Sequence, residues 1–333
     1  MKILNFVFCV SVVTGESMSP VYIEGQSYSN VNLDLTAGTI RGRALDEFAV
    51  DIYRAVPYAN TPGRFEMAEM IEAFPGRGTF DARSQGPTCF RFPLPGEILG
   101  EMSEDCLTLD IYIPRDGRTD RGILFWIHGG GYISGDSSFY SGIEQALRYG
   151  NIVVSIQYRL GVIGFVHHYD DGNIVGGNYG IADAALALKF VAANAALVGG
   201  DASKIVINGE SAGSGLVMGL LMHQPSTELI SGAIAQSGGT LLNFMGTIGV
   251  GPIGKEGIND EISYICSRFS GCDNSTSVID QLEQLKEVDA KTLFDVGQEK
   301  QLLWGLVPKD GTFWTEDALE KYMNNQLNTD FKV

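Results

Sequence analysis

The chain has 333 residues, 44% of them hydrophobic and 19% charged, enough for a large core in one or two domains. Forty acidic residues against 23 basic ones give a formal charge of −17, which argues against nucleic acid and anionic membrane surfaces as partners.

Met1 to Gly15 reads as a secretory signal: Lys2 is the charged end, Ile3 to Val13 an apolar run too short to span a bilayer, and Val13-Thr14-Gly15 a small-residue exit. The mature domain is then 16–333. No later apolar run is long enough for a transmembrane helix, since Lys189 and Asn194 interrupt Ala184 to Leu197. Val31, Leu33 and Leu35 alternate with polar residues, and Ala49 to Tyr53 forms a second extended run beyond turns at Gly38 and Gly42. These predict an antiparallel entry to a sheet. Ala59 to Pro87 is rich in Gly and Pro and reads as a surface excursion. Leu107 to Ile113 is a further strand, closed by Pro114 and the turn Arg115-Asp116-Gly117.

From Ile123 the pattern changes to alternating strands and helices. Ile123 to Ile127 is continuously apolar, as expected for a parallel strand covered on both faces. Helix over Ser141 to Tyr149, strand over Ile152 to Tyr158 and helix over Ala182 to Val198 follow. Next come a strand over Lys204 to Asn208, a helix to about Met222 and a strand over Gly232 to Gln236. This order specifies an α/β sheet of mainly parallel strands with helices on both faces. Past Gly238 the pattern weakens, with helices over Glu256 to Arg268, Ser277 to Leu285 and Glu316 to Asn325.

Between the strand ending at Asn208 and the next helix stands Gly209-Glu210-Ser211-Ala212-Gly213, a G-x-S-x-G pattern in strand-turn-helix context. Its glycines permit a tight turn that lifts the Ser211 hydroxyl out of the sheet. A serine hydroxyl is a poor nucleophile unless a base takes its proton and donors hold the developing oxyanion. His128-Gly129-Gly130-Gly131 directly follows a buried strand, and three successive glycines let backbone N–H groups converge on one point. A phosphate-cradling loop is the weaker reading, because no Gly-Lys-Ser/Thr follows.

Cys9 belongs to the signal, leaving Cys89, Cys106, Cys266 and Cys272. An even number fits two disulfides in an oxidising compartment, and sequence proximity favours Cys89 with Cys106 and Cys266 with Cys272 among three connectivities. Asn274-Ser275-Thr276 is the only glycosylation sequon.

Further blocks surround these motifs: Ser103-Glu104-Asp105-Cys106-Leu107-Thr108-Leu109-Asp110, Arg159 to Phe165, Gly177-Asn178-Tyr179-Gly180, Gly199-Gly200-Asp201 and Ala233 to Gly238. Together with the G-x-S-x-G segment, they resemble the type-B carboxylesterase and cholinesterase family, in order, from about Val31 to Asp310. The resemblance implies an α/β-hydrolase fold and serine ester hydrolysis without a cofactor. It assigns Ser211 as nucleophile, the N–H groups of Gly130, Gly131 and Ala212 as oxyanion donors, Glu210 as a buried carboxylate beside the nucleophile, and Ser237 as a supporting polar group. It also implies the Cys89–Cys106 and Cys266–Cys272 pairs.

Two departures matter. The family's triad acid and histidine lie later than Asn328 to Val333, so both are expected on polypeptide beyond Val333, and the sheet is expected to lack its last strands and expose an apolar edge open to association. The four histidines present read as surface or structural: His128 in the glycine segment, His167 and His168 in an acidic loop, and His223 after the elbow helix. The loop from Cys89 to Cys106 contains no Trp to hold a quaternary ammonium. A general carboxylic ester, a small-molecule substrate, is therefore expected rather than an acylcholine. The alternative is a catalytically dead truncated form or a non-catalytic binding member, as in the neuroligin-like branch. No metal site is expected, as there is no His-Glu-x-x-His.

Overall fold

A computed structural model describes residues 28–324 except 47, 62, 77, 94–99, 171–172, 239–254, 298 and 300–304. The signal reading of Met1 to Gly15 lies outside the described residues.

The chain enters through β1 (Tyr28–Leu35), β2 (Gly38–Leu45) and β3 (Val50–Pro57), an antiparallel meander. Gly42 is not a turn but the middle of β2. A Cβ at Gly42 would run into the Ile52 carbonyl and come within 2.8 Å of Tyr53 Cε1, so the glycine makes room for the neighbouring backbone and the Tyr53 ring. The excursion after β3 holds three two-residue strands, β4 (Ala59–Asn60), β5 (Glu69–Met70) and β6 (Phe80–Asp81). It still buries Ile71, Phe74 and Ala82.

The strands that carry the alternating pattern are β7 (Thr108–Pro114), β8 (Arg121–Ile127) and β9 (Ile152–Ile156), with helix α1 (Ile143–Tyr149) between the last two. Helix α2 (Gly161–Phe165) leads into a hairpin, β10 (His167–Asp170) with β11 (Asn173–Gly176), and then α3 (Tyr179–Asn194). Strand β12 (Gly200–Glu210), helices α4 (Ala212–Met222) and α5 (Gln224–Thr227), and strand β13 (Gly232–Gln236) complete the sheet. Among the described residues four further helices follow: α6 (Lys255–Ser267), α7 (Val278–Leu285), α8 (Ala290–Val296) and α9 (Ala318–Met323).

Strand order is β1-β2-β3-β7-β9-β8-β12-β13. The sheet is mixed: β9, β8, β12 and β13 are parallel, and the pairs from β1 to β9 are antiparallel. Alternate residues of each strand serve two cores. Ile111, Ile123, Phe125, Ile127 and Val154 join the large one, with Ala184, Leu188, Leu216 and Leu220 of α3 and α4. Tyr112 and Val153 face the other way into a small core with Ala146 of α1, against which Leu124 packs.

That second face is only partly covered among the described residues. An open groove of about 1200 Å³ runs over it, lined by Leu124, Trp126, Val153, Ser155, Asn208 and Gln236 of the sheet. The expectation that β8 is covered on both faces thus holds for one face only: Phe125 and Ile127 are buried, while Leu124 and Trp126 are half-buried. Beyond β12, β13 forms the sheet edge, and its Ala233 to Gln236 are exposed.

Both cysteine pairs expected from proximity are bonded, Cys89 to Cys106 and Cys266 to Cys272.

Candidate active site

Strand β12 runs straight into α4, and the chain turns at Ser211 with φ 53° and ψ −120°. A residue other than glycine is held there only when its surroundings over-determine it. The surroundings are visible: the Ser211 N–H donates to the Gln236 carbonyl at 2.8 Å, and the Ser214 hydroxyl donates to the Ser211 carbonyl at 2.7 Å. A Cβ at Gly209 would run into the Gly213 carbonyl, and one at Gly213 would lie 2.7 Å from the His128 carbonyl oxygen. These two contacts explain the glycines of the pattern.

The glycine segment arrives at the end of β8, the strand beside β12. Gly129 is the contact: a Cβ there would lie 2.6 Å from the Glu210 carbonyl and 3.1 Å from Ser211 Cβ. Gly130 and Gly131 both have positive φ, 116° and 63°. Ala212 occupies the first position of α4, so its N–H has no carbonyl four residues back within the helix, and the helix dipole favours negative charge at that point. Ser211, Ala212 and the three glycines are thereby gathered at the ends of two neighbouring parallel strands.

The glycine segment is fixed at several points. Tyr158 donates its hydroxyl to the His128 carbonyl at 2.8 Å, and Gly161 N–H donates to the Tyr132 carbonyl at 2.7 Å. Phe92 N–H donates to Ile133, and the Ser134 hydroxyl donates back to Phe92 at 2.7 Å. Buried Asp136 accepts from Gln157 Nε2 at 2.9 Å and lies 3.4 Å from the Arg91 guanidinium. Arg91 and Phe92 belong to the loop that the Cys89–Cys106 disulfide closes. Tyr158, Asp136, Gln157 and Arg91 were invisible to motif reading, because their partners lie between 21 and 45 residues away.

Strain marks the same region. Among the described residues, seven non-glycine residues have positive φ, and Tyr132, Ser211 and Ser237 are three of them. Ser237 follows Gln236, the residue that holds Ser211 N–H, and its side chain is exposed. Glu210 is half-buried rather than buried, and its carboxylate lies against Gly129. Partial burial raises its pKa above the ordinary carboxylate value.

The histidines are structural. His128 is fully buried, stacked on Tyr158 with centroids 4.4 Å apart, and its Nδ1 lies 2.9 Å from the Gly129 carbonyl. Desolvation lowers its pKa to about 4. His167 and His168 do not sit in a surface loop: both are in β10 and buried, and burial lowers both, His167 to about 4. His223 stacks on Phe313 and bonds Ser226 at 2.8 Å. None of the four is hydrogen-bonded to Ser211. Among the described residues no group of three or more His, Cys, Asp or Glu side chains converges to hold a metal, and no helix is long and apolar enough to cross a membrane.

Residues 28–331 match the model of the carboxylesterase family. Carboxylesterase 1E of Mus musculus is 34% identical over 272 residues, which are 76% of this chain and 46% of that protein. Carboxylesterase 3 of Homo sapiens is 33% identical, over 66% of this chain and 41% of that one. Among solved structures, the carboxylesterase EST55 of Geobacillus stearothermophilus superposes with a TM-score of 0.72 at 29% identity, covering 88% of this chain and 58% of that one. A PNB esterase gives 0.66 at 29% identity, over 82% and 54%. The chain belongs to the carboxylesterase family and has its α/β-hydrolase fold. It spans about half the length of the curated relatives it matches.

Proposed function

We propose that this chain carries the nucleophile and oxyanion hole of a serine carboxylic ester hydrolase. In this reading Ser211 Oγ attacks the ester carbonyl, and the N–H groups of Gly130, Gly131 and Ala212 stabilise the tetrahedral oxyanion. Collapse expels the alcohol and leaves an acyl group on Ser211, which water removes. The observation that carries the proposal is the contact of Gly129 with Glu210 and Ser211, which brings the glycine segment to a serine held in a strained turn. This reading requires a base and an orienting acid to complete the site. Substrate is a small carboxylic ester. Two disulfides support folding in an oxidising, secretory compartment.

A second reading has its own observation. No described histidine bonds Ser211, as expected of a member that binds without hydrolysing. Intact-mass labelling with a fluorophosphonate, beside Ser211→Ala and with circular dichroism to confirm folding, separates the two. Labelling that the substitution removes supports the hydrolase. A folded chain that stays unlabelled, alone and when produced with the remaining length of a full-size carboxylesterase, refutes it.

A further inference from the structure

We propose that Asn274 carries an N-linked glycan, attached before its turn closes. The residue is exposed between the Cys266–Cys272 disulfide and Ser277, the cap of α7. The turn around it is held by side-chain hydrogen bonds. Asp273 accepts from the Ser275 N–H at 3.0 Å and the Ser275 hydroxyl at 2.6 Å, and its own N–H donates to Gln284 Oε1 at 2.7 Å. Gln281 Nε2 donates to the Thr276 carbonyl at 2.8 Å and reaches the Asn274 carbonyl at 3.3 Å. Only the backbone of Asn274 takes part, so its side-chain amide stays available to a large polar substituent without loss of a hydrogen bond.

The order of events follows from Thr276. The sequon is read as Asn followed two residues later by a hydroxyl. In the folded turn that hydroxyl is used twice: it donates to the Asp273 carbonyl at 2.7 Å and accepts from Gln284 Nε2 at 3.2 Å. A transferase meets it free only on the unfolded chain, before the disulfide and α7 lock the turn. The step forms a bond from the Asn274 side-chain nitrogen to the sugar C1 and breaks the C1–O bond to a lipid pyrophosphate; the lipid pyrophosphate leaves and the transferase takes up the amide proton.

The inference stands independently of any activity at Ser211. Its test is cell-free translation of the full chain with microsomes, followed by glycosidase digestion and peptide mapping. The expected result is one glycosidase-sensitive step in mass, lost in Asn274→Gln and retained in Thr276→Ser. Asn274→Gln leaves the hydrogen bonds of the turn in place, so that variant folds and its loss of the step reports the site itself. An unmodified Asn274 peptide from wild-type chain overturns the proposal. Chain folded first and then offered to the microsomal transferase stays unmodified, and its modification overturns the stated order.

Discussion

Gly129 and Gly131 are two residues apart in one loop, yet a methyl group at each meets different surroundings. At Gly129 it meets the Glu210 carbonyl at 2.6 Å, so Gly129→Ala pushes the loop away from Ser211. If the glycine segment holds the oxyanion as proposed, that displacement costs about 10²-fold or more in rate. At Gly131 the nearest atom is Ile133 Cγ1 at 3.9 Å, leaving only the strain of φ 63°, about 1 to 2 kcal/mol. Fluorophosphonate labelling rates should fall steeply for Gly129→Ala and modestly for Gly131→Ala; equal effects would contradict the assignment. The buried imidazoles supply a second prediction at this scale. His128 and His167 titrate at about 4 in the folded chain against an ordinary 6.5, so the unfolded chain binds more protons between those values. Stability is therefore complete above pH 6.5 and declines as pH falls toward 4, by on the order of 2 kcal/mol per imidazole at pH 5. Urea midpoints at neutral pH and at pH 5 measure it, and a flat profile would refute the buried placement. The elbow and the glycine segment were legible in sequence because their constraints are local. The placement of His167 and His168 was not: acidic neighbours suggest surface, and only packing of the β10–β11 hairpin buries them.

Elements are joined by a few long-range clamps. Arg159, at the end of the segment after β9, forms a fully buried fork with Asp183 of α3, Nη2 at 2.7 Å and Nε at 2.8 Å, and its Nη1 donates to the Glu66 carbonyl. Asp183→Ala leaves a guanidinium buried without its counter-charge and should lower stability by about 3 to 5 kcal/mol, read by denaturant unfolding. Pairing it with Arg159→Met should recover much of that loss. The Cys89–Cys106 bridge closes a loop over a sequence separation of 17, whose removal costs about 3 kcal/mol. Because Arg91 and Phe92 of that loop hold Asp136 and Ile133, the Cys89→Ser/Cys106→Ser chain should lose labelling rate even at temperatures where it stays folded. The strands were readable from alternation, and β13 was placed to the residue. Gly42 misled because a glycine that makes room for Tyr53 looks, in sequence, like one that makes a turn. The short helix α8 went unread because seven residues carry too little periodicity.

At the scale of the molecule the sheet has an open side among the described residues. Ile234 of β13 is 45% exposed, and the groove beside α1 continues the apolar surface. Edges of this kind pair with other chains. The 333-residue chain should bind an apolar dye and associate as concentration rises, and Ile234→Lys should reduce the association seen by sedimentation. Monodisperse behaviour of the unmodified chain at high concentration would show that the edge is covered. The charge of −17 opposes association at low ionic strength, so added salt should strengthen it.

The strand order carries a consequence for how the chain is made. Strands β7 and β8 are joined by residues 115–120 and run in opposite directions, the arrangement of a simple hairpin, yet β9 lies between them. During synthesis β7 and β8 emerge first and are free to pair with each other, and β9 must then enter a gap that the nascent chain has every local reason to close. Prolonged pairing of β7 with β8 would delay insertion of β9, and a slow refolding phase that shortens when β7–β8 pairing is weakened is the expected sign of it. A factor that delays closure until Ile156 has emerged should therefore speed formation of the sheet on which Ser211 is mounted.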